Sequence, residues 1–94
     1  MFENDFNLSP DICYLNHAAV SPWPQRTVQA VRKFAEENGH LGSRNYDSWM
    51  ETEYQLRRQL QQMIHAQEPE EIALLKNTSE ALYVVAYGMQ WPEG

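Results

Sequence analysis

Apolar residues recur at helical spacing in two stretches of the chain and bunch into a short run in a third. Val28, Val31, Phe34 and Ala35 form the first stripe. Ser21 can cap that helix, with Pro22 at its first position and Pro24 still inside the first turn, and Asn38-Gly39 is its expected end. Trp49, Leu56, Leu60 and Met63 form the second stripe, widened by Tyr46, Met50, Tyr54 and Ile64, and predict a helix from about Ser43 or Asn45 to Ala66. Glu68-Pro69-Glu70 reads as a turn, because proline cannot continue a helix and restricts the residue before it. Ile72 to Leu75 is short, apolar and bounded by turn signals, as expected of a buried strand, whereas Ala81 to Met89 runs without a breaker until Gly88 and predicts a third helix. Ahead of these, residues 1–12 read as an extended arm punctuated by Pro10, and Cys13 to Asn16 as a short strand or extended segment. The expected class is mainly α, with three helices and one or two short strands. An arm over 1–20 leads to two helices within 21–66 and a strand-turn-helix over 67–94.

Composition narrows the range of functions. At 94 residues, a chain buries only about 60–65% of the surface its unfolded form exposes, so one domain with a marginal core is the expected ceiling. A hydrophobic content of 43% with three Trp and five Tyr is globular, and no apolar stretch is long enough to span a bilayer. The net charge of -6 disfavours nucleic acid, since phosphate backbones are held by clustered Lys and Arg, and Arg57-Arg58 is the one adjacent basic pair. With Glu53 one turn earlier, Arg57 reads as part of a solvated helix face carrying an ion pair. Acidic residues near Met1 and the lack of an apolar core after them make cytoplasmic residence the expectation. Cys13, the single cysteine, reads as a small buried hydrophobe. His17, His40 and His65 are too widely spaced for a metal pair, and no Ser sits in a nucleophile elbow.

The candidate chemistry lies at the start of the third helix. Asn77 can cap it, and Glu80, the third helical residue, can bond back to the cap amide in a capping box. The amides of Thr78, Ser79 and Glu80, two hydroxyls and the positive end of the helix dipole would then converge, and a phosphate would fit. Many capped helices bind nothing, so the spacing by itself favours a structural cap over a ligand site.

Tyr14-Leu15-Asn16-His17-Ala18-Ala19-Val20-Ser21-Pro22, two helical segments, Pro69-Glu70-Glu71-Ile72 and Asn77-Thr78-Ser79-Glu80-Ala81-Leu82, taken in order, resemble the N-terminus of the class V aminotransferases. These are the cysteine-desulfurase-like enzymes that use pyridoxal phosphate (PLP) on the α/β fold-type-I scaffold. The resemblance implies that Thr78, Ser79 and Glu80 hold the PLP phosphate, that Asn16 and His17 lie on the substrate side near the active-site mouth, and that Asn38-Gly39-His40 is a loop placing His40 close to the active sites of a dimer. It also implies an amino-acid substrate. Neither of the two lysines, Lys33 and Lys76, matches the family's Schiff-base position, so no catalytic residue is assigned and the chain alone is expected to be inactive. On this reading it is the N-terminal part of a larger enzyme, a truncated product or an excised piece. The alternative is a non-catalytic helical module that associates with itself, because Leu74, Leu75, Leu82, Val85 and Tyr87 would be left uncovered.

Overall fold

The computed structural model describes residues 4–94. Three α-helices occur among them: α1 over Gln25–Leu41, α2 over Tyr46–Ile64 and α3 over Thr78–Gly88. The chain falls into two compact units, Met1–Tyr46 and Asp47–Gly94.

In the first unit, α1 starts later than the Ser21 cap predicts. Pro22 and Pro24 each push the residue before them out of the helical region. Pro24 itself takes ψ 151° and becomes the N-cap, so winding begins only at Gln25. The Gln25 amide donates to the Asp5 carbonyl at 2.7 Å, which ties the arm to the helix start. At the other end the helix runs through Asn38, Gly39 and His40 and stops at Gly42, whose φ of 57° suits glycine and whose amide donates to Asn38 O at 2.8 Å. Gly39 is therefore a helical residue, and Asn38-Gly39-His40 is not a loop. The arm carries local turns, with the Ile12 amide donating to Ser9 O across Pro10-Asp11. Residues 1–3, where the arm begins, lie outside the described residues. Cys13 lies in a stretch with neither helix nor strand and is exposed, contrary to the expectation of a buried thiol.

In the second unit, α2 ends two residues before the expected Ala66, in a Schellman closure. His65 adopts φ 57° and its amide donates to Gln62 O at 3.4 Å, while the Ala66 amide reaches Gln61 O at 3.0 Å. The covered stripe of α2 also differs from the predicted one. Trp49, Glu53, Arg57, Leu60 and Gln61 are half-buried at helical spacing, whereas Leu56 and Met63 are exposed. A single 3-10 turn over Pro69–Glu71 follows. No strand occurs among the described residues, so neither Ile72–Leu75 nor Cys13–Asn16 forms one. A strand exists only with a neighbour to share its backbone hydrogen bonds, and no described segment pairs with either run. Ile72, at 9% exposure, is the one buried hydrophobic residue described. The Trp91 indole folds back to donate to Ala86 O at 2.9 Å near the end of α3.

Candidate functional site

The start of α3 is built locally. Asn77 is extended (φ -162°, ψ 169°), and its Oδ1 accepts from the Glu80 amide at 2.8 Å. Its carbonyl accepts from the Ala81 amide at 3.2 Å. The Glu80 carboxylate reaches back one residue further than the expected box, accepting from the Lys76 amide at 2.9 Å rather than from that of Asn77. Two backbone donors are thus satisfied reciprocally across the turn, in a box displaced by one position.

This alters the donor set. The Glu80 amide is taken by Asn77 and is not free for a ligand. The amides of Thr78 and Ser79 have no acceptor among the described residues, and each residue also carries a hydroxyl. Both residues are exposed at the positive end of an 11-residue helix. Two N–H and two O–H donors at a helix N-terminus make an arrangement suited to an anion with several acceptor oxygens, with the Glu80 carboxylate engaged by the Lys76 amide at the same turn.

The other expected positions lie in the first unit. Asn16 and His17 share one turn, in which Asn16 O accepts from the amides of Ala19 and Val20, both at 3.3 Å. The Tyr14 hydroxyl donates to Val20 O, closing the same turn, and the His17 ring packs edge-on against Tyr14 at 5.1 Å between centroids. His40 is on the last turn of α1. Nearer the arm, the Ser9 hydroxyl donates to the Asp11 carboxylate and, with a backbone bond, holds it below the usual carboxylate range. Among the described residues no group of three or more His, Cys, Asp or Glu lies together.

A contact that the sequence does not announce involves Arg57. The expected pair with Glu53 is present, with Nη2 to Oε1 at 2.7 Å and Nε to the same oxygen at 3.2 Å. The same guanidinium also donates through Nη1 to Ile72 O at 2.7 Å. A groove of about 280 Å³ beside it is lined by Met50, Glu53, Tyr54, Arg57 and Glu70, and none of Thr78, Ser79 or Glu80 lines it.

The family model for aminotransferase class V matches residues 13–93. The chain belongs to the class V aminotransferases. Curated proteins and solved structures provide no match. The class V match takes in the Asn16–His17 turn, His40 and the capped start of α3, so every candidate position lies within it. Class V aminotransferases are generally PLP-dependent enzymes of amino-acid chemistry, and PLP carries a phosphate of the kind the Thr78–Ser79 donors suit. No helix among the described residues of this class V chain is long and apolar enough to cross a membrane.

Proposed function

We propose that Thr78, Ser79 and Glu80 form the phosphate grip of a PLP-dependent, cysteine-desulfurase-like enzyme acting on an amino acid, of which these 94 residues are the N-terminal part. The observation that carries this reading is the pair of unengaged amides at Thr78 and Ser79 on a capped helix start, within a chain of the class V family. The donor chemistry fits the group: a phosphate offers acceptor oxygens, and Thr78 and Ser79 offer unengaged N–H and O–H donors. Thr78 and Ser79 would bind through N–H and O–H. Glu80 would keep the turn in shape through Lys76, and Asn77 through the Glu80 amide. When bound, PLP supplies an electron sink for carbanion chemistry. Asn16, His17 and His40 are proposed as substrate-side residues, with His17 oriented by the Tyr14 ring. The covalent lysine is assigned to neither Lys33, inside α1, nor Lys76, whose place before the cap suits charge attraction toward a phosphate.

Calorimetric titration tests this with PLP, with pyridoxal, which has the aldehyde but no phosphate, and with the double variant T78A/S79A. PLP should bind at least about tenfold more tightly than pyridoxal, as one or two charge-assisted hydrogen bonds require. The double variant should remove the difference. Equal affinities in the unsubstituted chain would mean imine formation at a lysine and no phosphate grip.

A specific observation also favours self-association. Leu82 (65% exposed), Val85 and Tyr87 (84%) stand uncovered along α3, with Leu74 and Leu75 exposed just before it. Apolar exposure on this scale favours a covering protein surface. We propose a second copy of the chain as one such cover.

A further inference from the structure

We infer that Arg57 is a positioning residue for the phosphate turn, acting through the backbone of Ile72. The inference rests on the function proposed above for Thr78 and Ser79. The connection from α2 to α3 has no strand neighbour among the described residues, so its backbone polar groups must be met by side chains or water. Arg57 and Gln61, one helical turn apart, meet them at both ends. Gln61 Nε2 donates to Ala66 O at 3.1 Å and to Gln67 O at 3.0 Å. Arg57 Nη1 donates to Ile72 O at 2.7 Å, while Glu53 fixes the other edge of the guanidinium.

Ile72 is thereby held three ways. Its side chain is buried, its amide donates to Pro69 O at 3.1 Å, and its carbonyl is taken by Arg57. Only Ala73, Leu74 and Leu75 separate this fixed point from Lys76, whose amide the Glu80 carboxylate holds. The four steps from Ile72 to Lys76 span at most about 13–14 Å, so fixing Ile72 limits the positions open to the cap and releasing it widens them. The task needs a fork. One planar group must serve a carboxylate behind it and a carbonyl ahead of it, which the single ammonium of lysine does poorly.

Amide exchange measured by NMR on the full chain without phosphate reads the inference, and titration with inorganic phosphate reads the function it rests on. In R57M, which keeps an apolar stem and removes every donor, the amides of Lys76 and Glu80 should exchange about tenfold faster, as loss of a charge-assisted bond allows. Those of Leu56 to Leu60 should change less than about twofold, since the backbone bonds of α2 remain. R57K, which retains a cationic donor group without the planar fork, should recover part of the protection, and phosphate affinity should fall in the order wild type, R57K, R57M. Exchange at Lys76 and Glu80 unchanged in R57M, or accelerated equally across α2 and α3, would overturn the positioning role. Absence of any phosphate response in the wild type would instead sink the phosphate grip, and the exchange arm would still decide whether Arg57 orders the turn.

Discussion

Replacing Asn77 with alanine removes the acceptor for the Glu80 amide and leaves the Glu80–Lys76 half of the displaced box in place. The bond is 2.8 Å long and lies on the surface, so water can take the vacated amide. The loss is therefore that of an exposed cap, about 1 kcal/mol, and not the larger penalty of a buried orphan donor. That changes the ratio of formed to frayed helix by about fivefold. The effect is large for α3, because 11 residues is shorter than the length at which an isolated helix becomes even marginally stable. Asn77→Asp separates shape from charge. It keeps a side-chain acceptor and adds a negative charge that the helix dipole favours, so α3 should be at least as stable as in the wild type. The same charge stands beside the Thr78 and Ser79 amides and should weaken phosphate binding. Amide exchange over residues 78–82 and a urea melt report stability, and a phosphate titration reports binding. Wild-type exchange in N77A would refute the cap, and undiminished phosphate affinity in N77D would refute the placing of the anion at those two amides.

At the end of α2, His65 holds a left-handed conformation better suited to glycine, so H65G should stabilise the fold by up to about 1 kcal/mol and raise the urea midpoint, and an unchanged or lower midpoint would contradict the Schellman reading. The Asp11 carboxyl is held low by Ser9, so what that bond contributes to the folded state is present near neutral pH and fades as pH falls through the depressed pKa. In S9A a carbon-detected NMR titration should show the Asp11 midpoint moving up toward the ordinary carboxylate value, and no movement would assign the depression elsewhere. Light scattering over a dilution series should show self-association that weakens in L82E, and a concentration-independent monomer melting in one step would remove that proposal.

What could be read from the chain alone was whatever neighbouring residues settle between themselves. The Asn77 cap, the Glu53–Arg57 pair and the extent of α3 all depend on partners within four residues, and each is found. Cap details one position away were harder. Two prolines delayed the start of α1 beyond Ser21, and of two glycines near its end it is Gly42, not Gly39, that takes the left-handed stop, Gly39 staying helical at a cost of about 1 kcal/mol. Ile72–Leu75 has the composition of a strand, but composition cannot supply the neighbour a strand needs, and its first carbonyl is met by Arg57 instead. That contact spans 15 residues of sequence, and nothing in the local pattern announces it. The covered stripe of α2 was misplaced for the same reason, since long polar side chains such as Arg57 and Gln61 are half-buried by what they bind. Of the candidate site, the residue types were legible. That the Glu80 amide is already engaged was not.

The most direct test of the phosphate grip is a nitrogen-15 NMR titration of the full chain with PLP and, in parallel, with pyridoxal. PLP should shift the Thr78 and Ser79 amides most, pyridoxal should leave those two amides unmoved, and the Glu80 amide should stay on Asn77 with either ligand. Shifts common to both ligands and centred on Lys33 or Lys76, with Thr78 and Ser79 unmoved, would contradict the phosphate grip.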